Sequence, residues 1–310
     1  MRHRLAESVR YVARQAAGQL NPPPDLLASF LARLERGPVS PHSFGAYYDL
    51  VLALDEDDLD QAEQHLRAML SAPPPQEGLR IVALGDSERD PDADRLRRHV
   101  DTDPTLQLEI LPPPPELAAT CRRRVETAVA LIGSANRELA AEIGALVREI
   151  VLAVGSTASG ALRFDGASCF MLWGAVVLNA ASHETTVEMV QALAHESGHS
   201  LLFGLSTDGP LVENQGDERF VSPLRFDPRP IDGIFHATFV TARMHQAVAR
   251  LLEADALAGS DLAEAKRALE SNAALFSRGL ETLDRHARLT PIGEAALSGA
   301  RAYMEQAARR

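Results

Sequence analysis

Cysteine, tryptophan and lysine are nearly missing from this chain of 310 residues, which has two, one and one of them. Cys121 and Cys169 are too few for a disulfide framework. Neither has the spacing of a metal-binding pair, so both read as small buried side chains. Because Lys266 is the only lysine, nearly all of the positive charge is arginine, whose planar fork pairs bidentately with carboxylates. Positive charge is also in deficit: a net charge of -12 argues against a general nucleic-acid binder, whose affinity comes largely from neutralised phosphates. No apolar run reaches the ~18 residues of a membrane span. The segment Met1 to Gln19 is charged and lacks the apolar stretch of a secretory signal. The expectations are no membrane association and a cytoplasmic protein. An apolar content of 45% with 24% charged residues describes an ordinary globular chain, long enough to bury a sizeable core.

Against this plain background stands the pentapeptide His195-Glu196-Ser197-Gly198-His199. In a helix His195 and His199 fall one turn apart on one face, so both imidazoles can grip one metal ion. Glu196 then points beside that ion, as a base or as an outer partner of a ligand. The context is helical. Thr185-Thr186-Val187-Glu188 spells a capping box, and Val187, Val190, Ala194, Leu201 and Leu202 form an apolar stripe offset from the histidines. Glu188 falls two turns before His195 on the same side. The plainer reading is a helix that happens to carry two histidines, which leaves a desolvated pair without a ligand.

The remaining pattern predicts an α+β protein, mainly helical, with a helical N-terminal part, a metallopeptidase-like strand and an HExxH-helix core. Helices are expected over 2–20, 25–36, within 44–54, and over 58–70, punctuated by Asn21-Pro22-Pro23-Pro24 and Ala72-Pro73-Pro74-Pro75. Short strands are expected over 79–84 and 106–111. A stiff Pro112–Pro115 connector follows, then a long helical pattern over 116–152. Residues 169–178 read as a strand with Trp173 in its middle, one whose edge could bind an extended peptide. Residues 204–230 read as an ordered loop, of the kind that often carries function. Three more helices are expected over 234–254, 261–287 and 291–308. No internal repeat is present, and the proline run places the boundary between an N-terminal region, 1–112, and a metal-binding catalytic domain, 113–310.

Metal binding needs at least one further protein ligand. Leu202 and Leu205 stand where the metzincin pattern requires glycine and histidine, which excludes that class. Glu213 and Glu218 lie at about the downstream distance of the thermolysin-like glutamate, but in a segment without helical apolar spacing. His236, near the start of a helix among apolar neighbours, is the stronger candidate. Arg243 falls two turns later on the same face, and Arg225 and Arg229 lie just upstream. Three guanidinium groups near a metal suit a dicarboxylate, whereas salt bridges to Asp217, Asp227 or Asp232 are the plainer account of any one of them. The other histidines, among them His42, His99, His183 and His245, read as surface or core residues.

Taken together, His195-Glu196-Ser197-Gly198-His199, the run Asp217-Glu218-Arg219-Phe220-Val221-Ser222-Pro223-Leu224-Arg225, Asp227-Pro228-Arg229-Pro230 and Asp232-Gly233-Ile234-Phe235-His236 resemble one family. It is the HExxH-motif peptide-modifying proteins of bacterial ribosomal natural-product clusters, the 2-oxoglutarate-dependent HExxH-type peptide β-hydroxylases. The resemblance is concentrated over 180–250. It implies Fe(II), 2-oxoglutarate and a precursor peptide substrate, with His195, His199 and His236 as iron ligands. Arg225, Arg229 and Arg243 are the physical candidates for gripping the cosubstrate. An all-histidine set departs from the usual two-histidine, one-carboxylate facial triad. The alternative is a zinc metallopeptidase with Glu196 as general base and Glu218 as a possible third ligand. A peptide-binding module with a structural metal would need a closed four-ligand site, and the sequence offers no fourth ligand.

Overall fold

The computed structural model describes every residue except 73, 76, 86–89, 101–108, 157–163, 223–226 and 310. Among the described residues it is α+β and mainly helical. In chain order the elements are α1 (Arg2–Gln15), α2 (Pro24–Arg36), α3 (Pro41–Asp55), α4 (Leu59–Ser71), β1 (Arg80–Ala83), α5 (Pro91–Val100), β2 (Ile110–Leu111), α6 (Pro115–Ala135), α7 (Arg137–Leu146), β3 (Glu149–Gly155), β4 (Gly166–Ala167), β5 (Ala175–Asn179), α8 (Thr186–Leu205), α9 (Ile231–Glu253), α10 (Gly259–His286) and α11 (Pro291–Ala307).

Contacts group these into two units, Met1–Pro113 with Val147–Leu178, and Pro114–Leu146 with Asn179–Arg310. The first cut falls in the Pro-rich connector. Segment 147–178, expected with the second region, packs with the first.

In the first unit the helices start where the sequence supplies caps. Pro24 opens α2, the Ser40 hydroxyl accepts the His42 backbone N–H at 3.3 Å, and the Asp58 carboxylate accepts that of Gln61 at 3.0 Å. Phe30, Leu34, Leu50, Leu66 and Met69 are buried in one core beneath α1 to α4. The sheet has the order β1-β3-β5-β4, with β2 paired to β3. β1 runs parallel to β3, placing Ile81 opposite Ile150, and β4 runs antiparallel to β5, placing Ala167 opposite Val177. A second core, with Leu96, Val151, Ala153, Leu172 and Val177, packs against this sheet.

Several expectations change. The helical pattern drawn through residue 152 breaks into α6, α7 and strand β3, whose Ile150 to Ala153 are all buried. A strand covered on both faces is a continuous apolar run, and Val147 and Ile150 also satisfy helical spacing. The strand expected over 169–178 is a 3-10 turn, Phe170–Leu172, followed by β5. β5 lies between β3 and β4 in the sheet order, so the open-edge role for a peptide does not belong to it over the residues paired with β4. α1 ends at Gln15, short of residue 20. α5 was not expected because its surface is charged, with only Ala93 and Leu96 as buried apolar positions. Residues 106–108 of the strand expected over 106–111 lie outside the described residues, and β2 is its described end.

The second unit is helical. Leu202, Ile234, Phe235, Phe239, Val240, Phe276 and Leu283 form one buried core joining α8, α9 and α10, to which Leu297 and Met304 of α11 add. No helix among the described residues is long and apolar enough to cross a membrane.

Candidate metal centre

The motif helix α8 begins at the capping box read from the sequence. Glu188 N–H donates to the Thr185 hydroxyl at 3.1 Å, and Thr185 N–H donates to the Glu188 carboxylate at 3.2 Å. The Thr185 hydroxyl also donates to Glu264 of α10 at 2.6 Å. Glu188, placed on the metal side by spacing, is therefore used at the helix start.

One turn of α8 sets the ring centroids of His195 and His199 4.8 Å apart and their Nε2 atoms 3.1 Å apart. At a metal–nitrogen distance of about 2.1 Å, two nitrogens 3.1 Å apart subtend roughly 95° at a shared ion. At about 2.0 Å the same spacing subtends roughly 102°, so the pair suits neighbouring positions of either an octahedron or a tetrahedron. The pair fits an ion as two adjacent ligands.

His236, on α9, comes to the same place by a different nitrogen. Its Nδ1 lies 3.1 Å from Nδ1 of His199, with the ring centroids 5.3 Å apart and the planes inclined by 20°. The two nitrogens of an imidazole direct their lone pairs away from each other. An ion on His199 Nε2 therefore lies on the side opposite the nitrogen of His236 that meets His199. The expected third ligand is brought to the cluster but not to the Nε2 pair. Among the described residues, no group of three or more His, Cys, Asp or Glu side chains converges as a metal cage. Burial lowers the pKa of His236, against the opposing pull of Asp232. Phe203 packs on both His199 and His236, at centroid distances of 6.3 and 5.5 Å, and forms an apolar wall.

Two further residues shape the cluster, and neither stands out in the sequence. Nδ1 of His195 lies 3.4 Å from the Met244 sulfur. A Cβ at Gly198 would come within 3.0 Å of Val240 Cγ1 and 3.6 Å of Arg243 Cγ, so the missing side chain is what lets α9 lie this close to α8. Later residues of α8 meet earlier residues of α9, so the two helices run antiparallel. Glu196 is buried, and its Oε1 is 3.9 Å from His195 Nε2. A carboxylate at that distance adds negative charge beside the ion position without a direct hydrogen bond.

Of the three arginines, Arg225 lies outside the described residues. Arg229 pairs with Asp227 at 2.7 Å, and its backbone is bridged to Phe220. Arg243 is the one beside the motif helix, where it forms an ion pair with Glu142 of α7 and donates to Gln246 at 3.1 Å. Glu218 is engaged by Arg288 at 3.1 Å and Asn214 at 3.2 Å, and these hydrogen bonds lower its pKa. His42, His99 and His245 lie 2.9 Å from Glu149, 2.9 Å from Asp49 and 2.8 Å from the Tyr303 hydroxyl. His183 adopts a left-handed turn, φ 57°, just before the cap. The sequence matches no family model, and a search of curated proteins returns no similar sequence.

Proposed function

We propose that the chain is an Fe(II)- and 2-oxoglutarate-dependent hydroxylase acting on the β-carbon of a residue in a ribosomally made precursor peptide. The observation that carries this reading is the 3.1 Å spacing of the His195 and His199 Nε2 atoms, which suits two adjacent ligands of one ion. The substrate class is the one that the resemblance over 180–250 implies. His195 and His199 would hold the ion. Iron with 2-oxoglutarate and O2 would supply hydroxylation of an unactivated carbon, coupled to release of succinate and CO2.

The side chains have their own tasks in this scheme. Phe203 keeps water from one flank of the cluster. Arg243 is the guanidinium suited to the far carboxylate of the cosubstrate, and taking it requires exchange with Glu142. Glu196, buried beside His195, favours a cation at the pair and orients its surroundings. Anaerobic addition of Fe(II) and 2-oxoglutarate to the metal-free protein tests the reading. A weak visible charge-transfer band is the expected result, and a featureless spectrum at saturating concentrations contradicts it.

A second reading, a zinc metallopeptidase, is favoured by the burial of Glu196 only 3.9 Å from His195 Nε2. There Glu196 would accept a proton from the attacking water. The engagement of Glu218 by Arg288 counts against it as the third ligand. Cleavage of unmodified peptide with zinc alone, read by mass spectrometry, would favour this reading.

A further inference from the structure

We infer that a cavity in the first unit, at the C-terminal end of α2, docks an acidic peptide segment through one of its apolar side chains. The inference concerns residues of the first unit alone and stands whether or not the metal reading holds. It starts from the distribution of charge. Residues 1–40 carry six arginines and three carboxylates, a net charge of +3, whereas the remainder of the chain carries -15. An acidic ligand is therefore repelled by most of the sequence and drawn to this stretch.

At the end of α2 this charge meets a cavity of about 350 Å³, near the small end of ligand pockets generally. Phe30 and Leu34 of α2 line it, with Pro38 and Val39 from the link to α3 and Pro74 and Pro75 from the proline run after α4. Among the described residues, Arg33 and Arg36 are the charged members of the lining. The Arg33 guanidinium lies 5.4 Å from the centre of the Phe30 ring and donates to the Leu70 carbonyl at 3.3 Å, which ties α2 to the end of α4. Arg36 is exposed. Glu35, between them in sequence, pairs with Arg10 of α1 at 2.5 Å and so does not neutralise them. Two arginines in a last turn also offset the negative end of the helix dipole, but a dipole requires no cavity beside them.

The lining chooses the occupant. Its apolar residues suit an apolar side chain, and its guanidinium groups suit a carboxylate close by. Pro38, Pro74 and Pro75 have no N–H, so the main chain there can only accept hydrogen bonds, and a peptide brings matching N–H donors. Fixed proline φ angles also keep these walls in place before binding, which lowers the cost of docking. Nucleic acid is a poorer match. It needs a track of cations with exposed aromatic rings for stacking, whereas Phe30, the aromatic residue of this lining, is buried.

Fluorescence anisotropy on the full chain tests the inference. The probe is a labelled peptide of about ten residues with a leucine and a phenylalanine set among glutamates, and its counterpart has lysines in place of the glutamates. The acidic peptide should bind and the basic one should not. Arg36→Glu, at an exposed position, should weaken binding at least about tenfold. Ser29→Trp puts an indole on the lining from another exposed position, and should weaken it as much while the urea midpoint stays unchanged. No binding of the acidic peptide, equal binding of the two peptides, or undiminished binding by Ser29→Trp would overturn the inference. Tighter binding of a labelled single-stranded oligouridine than of the acidic peptide would overturn the choice of occupant.

Discussion

At the scale of single residues, Glu196 separates the two chemistries. A general base is required for turnover in a peptidase, so Glu196→Gln should lower kcat there by about 10²- to 10⁴-fold. Under the hydroxylase reading the carboxylate is an outer group, and the same variant should keep kcat within roughly tenfold. Single-turnover rates on the precursor peptide, with each metal in turn, measure the difference. The grouping of His195, Glu196 and His199 was legible because it follows from the local spacing of one helix. Met244 and Glu142 carry no comparable signal, since a lone thioether or carboxylate gains meaning only from the helix it faces.

Asp49 is a second residue-scale case, in the first unit. Burial alone would raise its pKa. Hydrogen bonds from His99 at 2.9 Å and Arg95 at 2.7 Å, with the charge of Arg98, outweigh burial and lower it from 3.8 to about 2. A carboxyl whose pKa is depressed on folding contributes stability that is complete above the unfolded value and lost as pH falls through the folded one. The loss should run from about pH 4 to about pH 2 and amount to about 2 kcal/mol. Urea midpoints measured from pH 5 downward should fall across that window in wild type. Asp49→Asn should be less stable at neutral pH, by about 3–5 kcal/mol if Arg95 stays buried, with a flatter acid limb. Equal acid limbs in the two proteins would remove Asp49 from this role.

Among the elements, α8 was written most openly in the sequence, because a capping box and an apolar stripe are local signals. Thr185→Ala removes the cap and the contact with Glu264, and should cost about 1–2 kcal/mol in urea unfolding. A change below a few tenths would show that the cap is redundant. Helix packing was less legible. A Cβ on Gly279 of α10 would collide with the Thr238 side chain of α9, which donates its hydroxyl to the Ile234 carbonyl at 2.7 Å. Gly279→Ala should therefore destabilise by roughly 1–3 kcal/mol despite its better helix propensity. Strand β3 escaped the sequence reading for a related reason: burial on both faces erases the alternation that marks a strand, and its pairing partner β1 lies far away in the chain. α5 escaped because Asp–Arg pairs, Arg95 with Asp49 and Asp92 among them, occupy much of its length and leave only Ala93 and Leu96 as buried apolar positions, too few for a stripe.

On the scale of the whole molecule, the chain divides into two units with separate cores. The chemistry proposed above belongs to the second, where α8 and α9 bring residues distant in sequence to one cluster. A metal bound only by the folded protein must raise its stability by mass action, about 2.7 kcal/mol at a free concentration 100 times Kd. Thermal unfolding of the wild type should therefore shift upward with Co(II) or Zn(II), and His199→Ala should not shift. Equilibrium dialysis against Fe(II) under anaerobic conditions tests the centre most directly. The account predicts one equivalent bound by the wild type and none by His195→Ala or His199→Ala; a wild-type protein that retains no iron, or variants that retain it undiminished, would contradict it.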